Sequence, residues 1–368
     1  MAGVLVSASL GLVLSVVAGE LVVRLFVPKE KFWPIASIYQ PVTTPGVVYT
    51  MKPGYDGVVF GVDLRVNRFG FRGPEWEPQK PAGVVRIALL GDSHAFGYGL
   101  PFENTVGEVS ARLLNAGGDR RYEVLNFAIS GYNSKQEYAV WRAFAQRFQP
   151  DLVVVLATDN DDESGYASDP KGYLYLRSEV GAASGDPRVR EWVDGLKGQL
   201  HSALVQSHLY TFVKRSIMEL RRQPESITSG SVAAGEPAAG AHAGQSNDGL
   251  VSPALVDSVL QPLRKLIEEA RAQEIPVIIA ALNSPRTDFE RLYRRLSQEK
   301  EIPLLDLRAL FPDVEDLDAM RAKYDLGWDT HFNAVVHDRW ASGLVALIEA
   351  ESLLSKRQQQ APTGTPPN

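Results

Sequence analysis

Residues 152–157 read Leu-Val-Val-Val-Leu-Ala, six side chains with no polar atom among them. A strand points alternate residues to opposite faces, so a strand apolar on both faces must be covered on both. Such strands belong to parallel sheets held between layers of helix. The run from Val85 to Leu90 is of the same kind apart from Arg86, and Tyr122–Ala128, Ile275–Leu282 and Ile302–Leu307 are three more short strand-like segments. Between them, Glu103–Leu114, Lys135–Phe148, Pro253–Gln273 and Asp288–Glu299 carry helical spacing, and Ala334–Leu354 closes the series. Strand and helix in alternation over this length predict an α/β fold: three layers, α/β/α, around a central, mostly parallel sheet.

The rest of the chain divides by composition. Gly3–Gly19 carries no charge and is rich in Leu, Val and Ala. With its continuation to Phe26 it is long enough for one membrane helix. A cleaved signal peptide would need a basic start and a small-residue cleavage site, and neither is present. Residues 1–28 are therefore expected to be a single-pass transmembrane anchor. Arg24, Lys29 and Lys31 on its C-terminal flank would place the main domain in the cytoplasm, against the extracytoplasmic placement argued below. Residues 29–83, rich in Pro, Gly and aromatics, read as an ordered membrane-proximal extension, since disordered linkers are poor in aromatics. Its Val66–Gly73 stretch is expected to pack over the domain's flank, the alternative being a wall of the substrate cleft. Residues 84–354 form the main domain. An insertion at 165–250 interrupts it, with Ala, Gly, Ser and Pro dominating 224–249, too few large apolar groups to order the segment. Residues 355–368 read as a disordered tail.

Three of the predicted strands end in polar or small clusters: Gly91-Asp92-Ser93, Ser130-Gly131-Tyr132-Asn133 and Asp159-Asn160-Asp161. A fourth cluster, Asp329-Thr330-His331, lies near the C-terminus. Strand ends of a parallel sheet share one edge, so all four can converge there. These clusters resemble, in order, the conserved blocks of the SGNH (GDSL-type) hydrolases. The likeness spans roughly Val84–Leu354 less the insertion, and the N-terminal anchor with Val66–Gly73 resembles the membrane-anchored bacterial branch of that family. Two positions depart from the family pattern. Thr158 stands where block three usually has glycine, and one residue rather than two separates Asp329 from His331.

The resemblance implies a flavodoxin-like sheet order, Ser93 as nucleophile, His331 as its base and Asp329 as the group that orients the base. It implies an oxyanion hole made by the backbone N–H groups of Ser93 and Gly131 and the side-chain amide of Asn160. The residue types suit these roles. A serine hydroxyl is a weak nucleophile until a base takes its proton, histidine titrates near neutral pH, and a carboxylate fixes its tautomer. Of the other histidines, His337 is expected to pack structurally, His94 to lie in the turn or line the cleft, and His201, His208 and His242 carry no visible partner.

Other chemistries fit poorly. The chain has no cysteine, which removes disulfides, thiolate metal sites and cysteine nucleophiles. A net charge of -6 gives no basic surface for nucleic acid. The acidic run Asp159–Glu163 lacks the glycine and closing glutamate of a calcium loop. There is no Gly-x-Ser-x-Gly elbow and no glycine-rich phosphate loop. No metal and no cofactor are expected. The resemblance to the SGNH hydrolases implies hydrolysis of an acyl ester, commonly O-acetyl on a cell-envelope or exported glycan, by an extracytoplasmic domain. One alternative is an O-acyltransferase that modifies a polysaccharide through the same acyl-enzyme. Another, of a different class, is a non-catalytic glycan-binding protein of the envelope.

Overall fold

The computed structural model describes residues 2–26, 38–158 apart from 60 and 119, 166–168, 174–176, 253–282 and 289–354 apart from 328, with a few positions between 207 and 213. Asn160, the acidic run, nearly all of the 165–250 insertion with its 224–249 stretch, and the 355–368 tail lie outside the described residues.

A helix, α1 (Ala2–Phe26), forms where the anchor was expected, and Leu12, Leu14, Leu25 and Phe26 on it are exposed. Among the described residues, however, no helix is long and apolar enough to cross a membrane. The helix is present; the span is not supported by those residues.

The extension is more regular than its sequence suggests. It forms two antiparallel pairs, β1 (Tyr39–Pro41) with β2 (Tyr49–Met51) and β3 (Asp56–Val59) with β4 (Val62–Arg65). The domain follows as β5 (Val84–Gly91), the short α2 (Ser93–Phe96), α3 (Val106–Asn115), β6 (Arg121–Asn126), α4 (Ser134–Ala143) and β7 (Leu152–Ala157). Then come the short pair β8 (Tyr166–Ser168) and β9 (Leu174–Leu176), α5 (Pro253–Ala272), β10 (Val277–Ala281), α6 (Phe289–Lys300), β11 (Leu304–Asp306), α7 (Leu317–Tyr324) and α8 (Ala334–Ala350). The sequence reading had left α7 unrecognised.

The central sheet has five strands in the order β11-β10-β7-β5-β6, all parallel. Every residue of β5, β7 and β10 is buried, as the apolar runs require, while the edge strands are partly exposed. The chain moves outward from β5 to β6 and then back past it to β7. Right-handed crossovers in opposite directions put α3 on one face and α4 on the other. α8 packs against α3, and α5 packs against α4 and α6, which completes the two outer layers. The aromatic stripe of α4 and the turn after it is core, with Trp141 and Phe148 fully buried.

This is the flavodoxin-like order, and its direction reverses between β5 and β7. Open α/β sheets bind ligands at that reversal, beyond the carboxyl ends of the strands. Ser93 follows β5 directly.

One charge interrupts the buried β5. Arg86 is 2% exposed, and its guanidinium meets Glu123 at 3.0 Å and the carbonyls of Pro78 and Phe148. A buried cation must be paired in this way to be tolerated.

Candidate active site

β5 ends at Gly91, where φ is +148°. A Cβ there would stand 2.7 Å from the Ala95 Cβ and 2.9 Å from the Leu156 carbonyl oxygen. Only glycine can make this turn and let α2 lie against β7. Asp92 caps α2, its carboxylate accepting the His94 N–H at 2.9 Å. From the end of β7, the Thr158 hydroxyl donates to the other Asp92 oxygen at 3.2 Å. From the end of β6, the Asn126 amide donates to the Ala95 carbonyl at 2.7 Å. Strands on both sides of β5 thus pin the short helix that presents Ser93.

Asp92 is fully buried. Burial alone would push its pKa up. The charge of His94 and the hydrogen bonds from His94, with a smaller pull from His331, outweigh burial and hold it below the ordinary carboxylate value.

His331 reaches Ser93 from the loop between α7 and α8. Its Nε2 lies 2.7 Å from the Ser93 Oγ, and its Nδ1 lies 2.6 Å from Asp329 Oδ1. The same Oδ1 accepts the His331 backbone N–H at 3.1 Å. The single-residue spacing explains this double contact, because an aspartate readily bonds the N–H two residues on. The loop is closed by hydrogen bonds from the Leu326 N–H to the His331 carbonyl and from the Asn333 N–H to the Tyr324 carbonyl. Tyr98 stacks on the imidazole, with ring centres 4.2 Å apart and planes at 20°.

Burial lowers the His331 pKa most, and the nearby His94 adds to it. The hydrogen bond and charge of Asp329, with the charge of Asp92, pull the other way, and the net lies below the ordinary 6.5. The imidazole must be neutral to accept a proton, so a lowered pKa keeps it competent into more acidic solution. The acid limb of kcat/KM is expected below pH 6.5. A pH profile with its acid limb above that value would contradict the assignment.

Two further donors face this edge. Among the described residues, neither the Ser93 nor the Gly131 backbone N–H has an acceptor. Gly131 lies in the turn after β6 with φ +80°. Asn160, the third expected donor, lies outside the described residues. His337 is structural, as expected. Burial takes its pKa down to about 3, and its Nδ1 accepts the Val106 N–H at 3.1 Å at the start of α3. His94 lies beside the histidine of the pair, its ring centre 5.1 Å from that of His331.

The structure therefore brings Ser93, His331 and Asp329 into one hydrogen-bonded chain and puts Gly131 at the end of the neighbouring strand. Sequence reading missed four contributors: Asn126, Tyr98, and from the extension Tyr49 and Arg72. Tyr49 donates its hydroxyl to the Ser130 carbonyl at 2.8 Å, beside Gly131. Arg72 donates to the carbonyls of Phe96 and Gly97, at 3.1 and 2.8 Å, and of Leu100. Its guanidinium is buried, which lowers its pKa to about 10 and still leaves it charged at neutral pH. Thr158 was visible as a departure, but its bond to Asp92 was not. A cavity of about 660 Å³ is lined by Arg72, Trp76, Phe102, Arg112, Tyr122 and Asn126 among others, and Ser93 and His331 do not line it.

The chain was compared with known proteins. The model of the GDSL-like lipase/acylhydrolase family matches residues 89–339. No curated protein matches. Similar solved structures include a psychrotrophic esterase, EstA, from Pseudoalteromonas sp., at 12% identity and a TM-score of 0.40, covering 73% of this chain and 98% of that one. A lipase/acylhydrolase from Enterococcus faecalis shows 12% identity and a TM-score of 0.40, covering 73% and 96%. An acetyl xylan esterase, AlAXEase, shows 14% identity and a TM-score of 0.40, covering 72% and 100%. The family match spans more than half of the sequence and contains Ser93, Gly131, Asp329 and His331. This chain belongs to the GDSL-like lipase/acylhydrolase family.

Proposed function

We propose that the protein is a serine esterase that cleaves a short acyl ester, O-acetyl in the first instance, through an acyl-enzyme on Ser93. The observation that carries this reading is the 2.7 Å contact between Ser93 Oγ and His331 Nε2, with Asp329 on the other ring nitrogen. In the first step His331 takes the hydroxyl proton as Oγ attacks the ester carbonyl. Asp329 holds the tautomer and stabilises the imidazolium that forms. The free N–H groups of Ser93 and Gly131, with the Asn160 amide, receive the oxyanion. His331 then returns its proton to the departing alkoxide, leaving acyl on Ser93. In the second step water attacks, His331 takes its proton, and the carboxylic acid leaves as Oγ is reprotonated.

The low exposure of Ser93, 6%, favours a small acyl group. The acceptor we propose is a hydroxyl of a cell-envelope or exported glycan, with the enzyme held at the membrane by α1 and its domain outside the cytoplasm. The apolar run Gly3–Gly19 and the exposed side chains of α1 support the membrane contact; the side rests on the family likeness alone, against the flanking Arg24, Lys29 and Lys31. A fusion reporter active only in the cytoplasm would overturn it.

The test is hydrolysis of 4-nitrophenyl acetate and of acetylated glycans by the purified protein and by Ser93→Ala. The substitution is expected to reduce kcat by about 10³-fold or more. Equal rates in the two proteins would end the esterase reading.

A further inference from the structure

The N-terminal extension meets the reactive edge at two points, one at the far end of the helix that begins at Ser93 and one beside Gly131. Arg72 reaches the turn that ends α2, where its guanidinium donates to the carbonyls of Phe96, Gly97 and Leu100. The Phe96 carbonyl ends α2, where a cation suits the helix C-terminus, and the Gly97 carbonyl that also accepts from Arg72 is shared with the Leu100 N–H. The side chain is 2% exposed, and its hydrogen bonds go to backbone oxygen rather than to a carboxylate. The rings of Phe96 and Phe102 lie 5.1 and 5.9 Å from the guanidinium carbon. A buried cation is costly unless its donors are used; here Nη1 and Nη2 meet the three carbonyls, and Nε has no partner among the described residues. What these donors hold is the far end of the four-residue helix whose first N–H belongs to Ser93.

Tyr49 treats the other donor in the same way. Its hydroxyl donates to the Ser130 carbonyl at 2.8 Å, and the Tyr132 hydroxyl donates to the Tyr49 carbonyl at 2.6 Å. The two bonds bracket Gly131 on both sides. The rings of Tyr49 and Tyr132 meet edge to face at 5.2 Å, which keeps the bracket rigid.

We propose that Arg72 and Tyr49 are positioning residues which, through these two turns, hold the Ser93 and Gly131 N–H groups at the spacing a tetrahedral oxyanion needs. The extension is then a working part of the esterase and not a covering. The inference rests on the reading of Ser93 as nucleophile. Donors aimed at an oxyanion must stand where charge develops, and displacement weakens the transition state more than the ground state.

The experiment uses the full-length chain and two variants, Arg72→Lys and Tyr49→Phe. Lysine keeps the charge but loses the planar fork that serves several carbonyls. Phenylalanine removes one hydroxyl. Steady-state hydrolysis of 4-nitrophenyl acetate is measured together with inhibition by phenylboronic acid, whose serine adduct mimics the tetrahedral intermediate, and with thermal melting. Tyr49→Phe is expected to melt near the wild type, and Arg72→Lys below it, because lysine leaves some of the three carbonyls unmet. In Arg72→Lys, kcat is expected to fall at least about tenfold, with a smaller fall in Tyr49→Phe, and KM to stay within about twofold. The boronate inhibition constant is expected to rise in step with the loss in kcat/KM. Folded variants with unchanged kcat and boronate affinity, or with KM alone raised, overturn the proposal. If Arg72→Lys does not fold, Tyr49→Phe decides by the same criteria. A wild-type protein without Ser93-dependent hydrolysis is a different result, and it removes the esterase reading itself.

Discussion

Replacing Asp329 with alanine is expected to lower kcat by about 10⁴-fold while leaving the protein folded, because His331 loses both its tautomer lock and the charge opposite its imidazolium. The asparagine variant separates these two contributions. In the native loop, Asp329 Oδ1 accepts the His331 backbone N–H at 3.1 Å and the ring Nδ1–H at 2.6 Å. An asparagine oxygen can stay in that position, held by the backbone N–H, and go on accepting from Nδ1. Asp329→Asn then keeps the tautomer and loses only the charge, a difference of roughly 1–2 kcal/mol between a charged and a neutral acceptor, or about 5- to 30-fold in rate. Rapid-mixing or steady-state kinetics on an activated acetate ester measure both variants. Equal and small losses would mean that Asp329 does not orient the base. Equal and large losses would mean that the amide flips and presents its NH₂ to the ring.

Gly91→Ala carries the second large effect, on folding as well as activity. At φ +148° an alanine is strained by about 1–3 kcal/mol. Its Cβ would also press on the Ala95 Cβ at 2.7 Å and the Leu156 oxygen at 2.9 Å, adding about 1–3 kcal/mol of overpacking. The Leu156 oxygen is backbone within a buried strand, so it has little room to yield. The sum predicts a melting point lower by ~10 °C, at about 2–4 °C per kcal/mol. Any folded remainder should react slowly, since α2 is displaced. A variant with wild-type melting and wild-type activity would show that the turn after β5 is not the tight point described.

Much of this was legible in the sequence, for physical reasons that differ from element to element. The buried strands β5, β7 and β10 were readable because a sheet covered on both faces is apolar on both, save where a buried charge is paired, as Arg86 is with Glu123. Ser93, Asp329 and His331 were readable through the resemblance of their clusters to the SGNH blocks, whose chemistry restricts the residue types; only Ser93 stands at a strand end, and the other two come from the loop between α7 and α8. The helix α7 was missed because Leu317–Tyr324 is short, mixes charge with few apolar residues and so shows weak periodicity. The extension was expected to pack over the flank, and it does pack. Its hydrogen bonds to the turns around Ser93 and Gly131 could not be read, because Arg72 acts through carbonyl groups that every residue carries. Backbone partners leave no trace in residue identity. The same holds for Asn126, whose amide meets the Ala95 carbonyl. Thr158 shows the reverse case. Its place in the pattern was visible as a departure, and the structure gives that departure a contact, the buried hydroxyl on Asp92.

The central claim is that Ser93 is the nucleophile of a serine–histidine pair. The most direct measurement is covalent labelling of the full-length protein with a fluorophosphonate, followed by intact mass and peptide mapping. The account predicts a single adduct on Ser93, lost in Ser93→Ala and strongly slowed in His331→Ala. Hydrolysis that continues while Ser93 stays unlabelled, or an adduct on another residue, would contradict it.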